Sequence, residues 1–205
     1  MKKIAAVLIV VLCAALAASA QELSKAERDR AVKYLKQTEK ILQKETKGLT
    51  PEQWKFKAAA DRWSVQDCLE HLTLTEDLVH QMMAERLMKS PAAPEKYTAV
   101  SAKEKDDWVL KAIPDRSSRF QAPEPIRPSG KWATPDEMWK HLAAAREVTI
   151  ADAKTQNGLR LHFMDHPLKK DLDGYQWLLL IAAHTERHTK QIQEVKADPN
   201  YPKKK

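Results

Sequence analysis

The stretch Tyr175-Gln176-Trp177-Leu178-Leu179-Leu180-Ile181-Ala182-Ala183-His184-Thr185-Glu186-Arg187-His188 decides the fold. Within it and just beyond, Trp177, Ile181, His184, His188, Ile192 and Val195 follow one another at steps of three or four, the spacing of one face of an α-helix. The pattern predicts a helix from about Gly174 to Lys196, stopped at Asp198-Pro199. Two imidazoles fall on its apolar, inward face, where unpartnered polar groups are costly.

Three further stretches carry the same periodicity, and none shows the sustained alternation of a half-buried strand. The first runs from about Ser24 to Lys47, with Ser24 and Glu27 as a capping box and Gly48 as a stop. After the turn Leu49-Thr50-Pro51 and a stretch from Trp54 to Trp63, Ser64 caps a second helix reaching about Lys89, ended by Ser90-Pro91. A third opens at Thr134-Pro135 and runs to Gln156, before Asn157-Gly158. Between the second and third, the chain holds six of its eleven prolines and a capping-box pattern at Ser101-Ala102-Lys103-Glu104, read as opening a short helix to about Ile113. Four long helices with only four glycines in the whole chain describe an all-α, four-helix bundle with a long crossover connection between helices two and three.

Residues 1–20 stand apart. Met1-Lys2-Lys3, the apolar run Ile4 to Ala17 and the small residues Ala18-Ser19-Ala20 read as a secretory signal peptide, with an apolar run too short to span a bilayer. Cys13 does not make it a lipoprotein signal, because Leu12 stands where a small residue is required. Cleavage after Ala20 takes 20 of the 205 residues and two lysines, leaving 185 residues with 33 basic and 28 acidic side chains, a net +5. The expected organisation is therefore signal peptide 1–20, bundle 21–200 and a solvated basic tail 201–205, in an exported, periplasmic or secreted protein without a stable membrane anchor. One cysteine, Cys68, remains, which rules out an intrachain disulfide.

The chemistry lies in the seven histidines. His184 and His188 are four apart, so both can reach one metal ion. A third ligand is needed, and His71 is the best placed, sharing a stripe with Cys68, Leu72, Thr75 and Leu78. His80 falls on the opposite side of the same helix, and His141 could face either way. The other pair, His162/His166, precedes Pro167 in what reads as irregular chain, a weak candidate for a second site. Cys68 is read as a small buried hydrophobe rather than a soft ligand or thiol nucleophile. Glu186 and Arg187 are expected to face outward or sideways. Neither a phosphate-binding glycine loop nor a Ser-His-Asp spacing is present.

Arg62-Trp63-Ser64-Val65-Gln66-Asp67-Cys68-Leu69-Glu70-His71-Leu72 resembles the second-helix signature of the DinB/YfiT-like superfamily, and His184-Thr185-Glu186-Arg187-His188-Thr189-Lys190-Gln191-Ile192 resembles its fourth-helix signature. The resemblance covers essentially all of the chain after the signal. It implies a four-helix bundle in which His71, His184 and His188 hold a divalent metal, with Zn, Ni, Fe and Mn equally compatible with the ligand set. It also implies a thiol-dependent transferase or isomerase for some members, although an export signal separates this chain from cytosolic thiols. The family name refers to DNA-damage induction and implies no nucleic-acid partner, and the modest net charge gives no other reason to expect one.

Two functions follow as expectations. One is a metal-dependent enzyme of hydrolase or thiol/group-transferase type, acting on a small-molecule substrate, with Glu70 and Gln191 as weak candidates for proton transfer or for orienting the ligands. The other is a non-catalytic exported metal-binding or structural bundle. A homodimer is one assembly open to it, and the sequence does not specify the oligomeric state.

Overall fold

The computed structural model describes residues 22–168 and 170–204. The expected signal peptide lies outside the described residues. Four long helices dominate: α1 (Lys25–Thr46), α3 (Val65–Met82), α5 (Pro135–Thr155) and α6 (Gly174–Lys196), with short helices α2 (Pro51–Lys55) and α4 (Ala99–Ala112). Capping boxes open all four long helices, from Ser24, Ser64, Thr134 and Asp173. Thr98 caps α4 by accepting from the Ser101 amide, so this helix begins three residues before the Ser101 pattern suggests. After Met82, α3 continues into a π-helical turn, Met83–Leu87, that brings Met83 and Leu87 into the core. No helix among the described residues is long and apolar enough to cross a membrane.

The all-α expectation needs one correction. Phe163–His166 (β1) and Lys170–Asp173 (β2) pair as an antiparallel hairpin, in the stretch the sequence presents as irregular. Each strand has four residues, too few for an alternating pattern to show in the sequence. The tail differs too. Tyr201 packs edge-on against Phe56, and the Pro202 carbonyl accepts from Gln53 Nε2 at 2.8 Å, so only Lys203 and Lys204 are exposed among its described residues.

In the bundle, α6 packs against α1, α3 and α4, while α5 packs against α1 and α3. The core consists of two apolar clusters. The first gathers Leu35, Val79, Ile150, Tyr175 and Trp177 to Ala183, and the second gathers Leu42, Val65, Cys68, Leu69, Leu72, Met138, Leu142, Ile192 and Val195. Helices α1 and α6 pass from the first cluster to the second, whereas α3 and α5 pass from the second to the first.

Between the clusters lies a polar layer. Arg146 of α5, 1% exposed, makes a two-pronged bond to Glu76 of α3 at 2.7 and 2.8 Å, and donates to the Leu35 carbonyl of α1 and Thr185 Oγ1 of α6. Thr149 also donates to Glu76. On α6, His184 and His188 stand on either side of Thr185, which Arg146 reaches. A second buried cation, Arg160, binds Asp106, Asp173 and Glu27 and so ties α4 and α1 to the cap of α6.

Gly174, the first residue of α6, is held under Leu159 with its amide donating to the Leu159 carbonyl at 2.7 Å. A Cβ there would lie 2.7 Å from Leu159 Cδ2 and 3.0 Å from the Leu159 carbonyl oxygen. Gly174→Ala is expected to lower stability by about 1–3 kcal/mol through overpacking, measured by urea denaturation.

Candidate metal centre

Helices α3 and α6 bring three imidazoles to one point. His184 Nε2 lies 3.2 Å from His71 Nε2 and 3.1 Å from His188 Nε2, and all three ligand atoms fall within 4.8 Å of one another. Nitrogens about 2.0–2.1 Å from a tetrahedral Zn²⁺ stand roughly 3.3 Å apart, so two of the three separations already match a metal site.

Outer partners fix which nitrogen carries the proton. His71 Nδ1 faces the Ile126 carbonyl at 2.6 Å, an acceptor only, so Nδ1–H donates and the Nε2 lone pair turns inward. His188 Nδ1 lies 2.9 Å from Gln191 Oε1. The same oxygen takes a bond from Arg116 Nη1 at 3.2 Å, and because a guanidinium only donates, the Gln191 atom is an oxygen and His188 Nδ1 must be the donor. Two inward lone pairs thus flank His184 Nε2, whose single proton can satisfy only one of them. A cation satisfies all three nitrogens. Oriented imidazoles with Nδ1–H bonded outward are the usual setting of metal-ligating histidines.

Burial keeps these rings neutral. It pushes His71 down to about 4, against the opposing Ile126 hydrogen bond, and pushes His184 and His188 well below the ordinary histidine value, helped by their mutual repulsion. Neutral imidazole is the form that binds a metal. For His71 the folded value lies below the unfolded value near 6.5, so the unfolded chain takes up the proton first. Stability present above pH 6.5 is then lost as the pH falls toward 4, on the order of 3 kcal/mol from His71 in the metal-free protein. Urea unfolding from pH 7.5 to 4.5 checks this, and a midpoint unchanged between pH 7 and 5 would remove the burial argument.

The three rings open on a cavity of about 380 Å³. Trp63 forms one wall, stacked on His188 with centroids 5.7 Å apart and tilted against His71 at 4.7 Å. Ile113, Phe120, Ile126 and Leu168 add apolar surface, and His166 of β1 lines the far side, between Trp108 and Trp177. The Leu168 amide donates to His166 Nδ1 at 3.2 Å, which leaves the proton of the neutral ring on Nε2.

Other sequence candidates fall elsewhere. Glu70 is buried with its carboxylate accepting from the amides of Ser129, Gly130 and Lys131, which fastens the long connection to α3; Gly130, at φ 80°, supplies the left-handed backbone there. Gln191 sits behind His188, as described. Cys68 is fully buried in the second apolar cluster, and burial pushes its thiol up, away from nucleophilic chemistry. His162 bonds the Ser90 carbonyl at 2.9 Å, so His162 and His166 serve different surroundings. His80 faces Asp152, and His141 faces Asp77.

Arg187 is the residue sequence reasoning placed wrongly. It is 7% exposed, lines the cavity and donates to the carbonyls of Ile113, Asp115 and Ser118. The uninterrupted apolar run Trp177 to Ala183 is the signal that could have shown it, since a helix apolar on all sides is covered on all sides.

A helical bundle with three converging imidazoles at the floor of a cavity, two of them braced from outside, is the architecture of a histidine-based metal protein. A model of the DinB superfamily matches residues 34–192, and the chain belongs to that superfamily. The Uncharacterized protein YuaE of Bacillus subtilis (strain 168) is 28% identical over 155 residues, spanning 74% of this chain and 88% of that protein. The solved structure of YfiT from Bacillus subtilis, described as a probable metal-dependent hydrolase with an unusual four-helix bundle topology, matches with a TM-score of 0.55 at 14% identity, covering 88% of this chain and 91% of that one. At that identity the likeness speaks for the fold.

Proposed function

We propose that the protein holds a divalent metal ion through His71, His184 and His188 and acts as a metal-dependent enzyme of hydrolase or group-transferase type on a small molecule. The observation that carries this reading is the proton inventory: the Ile126 carbonyl and Gln191 Oε1 force two Nε2 lone pairs toward the third imidazole. An ion bound there supplies Lewis acidity to a water or thiol. The chain does the rest. Ile126 and Gln191 orient two ligands, Trp63 shields one flank, and the Nε2–H of His166 offers a donor on the cavity wall. The cavity favours catalysis, because structural sites are closed whereas catalytic ones keep an open position.

The donor set admits Zn, Ni, Fe or Mn. We read the α3–α5 segment as the crossover of the bundle, a reading supported by the Ile126 and Glu70 contacts that hold it over the site. Export rests on the first twenty residues and is proposed on that sequence pattern.

The alternative, a non-catalytic metal-binding bundle, is favoured by one observation: Asp61 is the sole carboxylate residue among the described residues lining the cavity. Metal analysis of purified protein under metal-replete conditions tests both. One equivalent per chain is expected, and its absence overturns the metal reading. Chelation that leaves the helical circular dichroism intact supports the enzyme, whereas collapse supports a structural metal.

A further inference from the structure

The cavity over the three histidines carries four arginines, Arg62, Arg116, Arg119 and Arg187, against the single carboxylate of Asp61. Arg116 is neutralised: its Nε and Nη2 grip Glu194 at 3.0 and 2.6 Å. Arg187 is not. Its three hydrogen bonds all end on uncharged backbone carbonyls, two from Nη1 and one from Nη2. A guanidinium has five N–H groups, so Nε–H and one Nη2 hydrogen have no partner among the described residues. Neither nearby acid bonds to it: Asp115 accepts from the amide and hydroxyl of Ser117 and acts on Arg187 only through space, and Glu194 is gripped by Arg116. Arg119, exposed at the cavity, has no ion-pair or hydrogen-bond partner among the described residues.

A cation 7% exposed whose hydrogen bonds all end on neutral carbonyls, without a bonded counter-charge, is costly to keep. An oxyanion in the cavity relieves that cost, and a low-dielectric pocket lined by one sign of charge concentrates such ligands. Apolar surface stands beside the charge: Phe120 lies under Arg187 at 5.3 Å, with Trp63 and Ile113 on the walls.

We propose that the ligand of this site is a small organic anion, with its carboxylate or phosphate group held by Arg187 and Arg119 and its apolar body set between Trp63 and Phe120. This rests on the metal-site reading for its role as substrate, though not for its binding. The carboxylate and phosphate share the chemistry of a planar or tetrahedral oxyanion meeting a guanidinium fork.

Calorimetric titration of the full chain, metal-loaded and chelator-treated, with benzoate, phenyl phosphate and neutral benzamide tests it. At least one of the two anions is expected to bind one to one, at least about tenfold tighter than benzamide, and the tighter of the two identifies the acid group. Arg119→Gln, at an exposed position, is expected to weaken that anion up to about fivefold, the scale of an exposed ion pair. Arg187→Gln should weaken it further, with Arg187→Lys restoring part of the loss, and helical circular dichroism reports whether these variants fold. Benzamide binding as well as both anions overturns the proposal. So does an anion that binds only the metal-loaded protein and ignores both arginine substitutions, which assigns it to the metal alone. Anion binding by a protein that takes up no metal under metal-replete conditions leaves this proposal standing while the metal reading falls.

Discussion

Arg146→Ala is expected to lower the free energy of unfolding by about 3–5 kcal/mol, because it strands the Glu76 carboxylate in the core. Glu76 is 2% exposed, and its bonds are the two from Arg146 and one from Thr149. The loss also frees the Leu35 carbonyl and Thr185 hydroxyl from their guanidinium donors. Replacing both charges together, as Arg146→Met with Glu76→Leu, removes the stranded group and is expected to recover most of the stability. Urea titrations of the single and double variants measure the difference. Equal losses in the two would mean that the ion pair itself, rather than the unpaired charge, carries the effect.

His184→Ala is expected to weaken metal binding by more than about 100-fold, beyond the upper end seen when a partner behind a ligand is lost. His184 is the middle ring, with the other two Nε2 atoms 3.1 and 3.2 Å away, so its removal leaves two separated donors. His80→Ala is the control. His80 faces Asp152 at 3.2 Å on the outer side of α3, and its loss should leave affinity unchanged. Competition with a chromophoric chelator gives both values, and equal affinities in the two variants would remove the three-histidine assignment.

The bundle was legible because its helices announce themselves twice, by the period of their apolar faces and by their caps. Ser24, Ser64 and Thr134 each stand three residues before an acidic side chain that closes the box. The pairing of His184 with His188 was legible for the same reason, whereas His71 was only a candidate on its stripe until the family resemblance completed the set. Four-residue strands and the hairpin between them left no such trace. Arg146 and Glu76 were also silent, because a charged residue in a helix reads as solvent-facing unless its partner on another helix is known. Arg187 failed similarly: its burial comes from the loop at residues 113–118, a long-range contact that helical spacing does not encode.

The polar layer between the two apolar clusters has a consequence for how the helices find their alignment. Hydrocarbon packing alone tolerates sliding, since one turn of travel, about 5.4 Å, exchanges one leucine for another. Here a slip of α5 by one turn would carry Arg146 into the company of Leu142 or Ile150 and away from Glu76, and the same slip of α6 would scatter the imidazoles. The layer thus acts as an index mark, giving the bundle a single register in which Arg146 meets Glu76 and the three imidazoles converge.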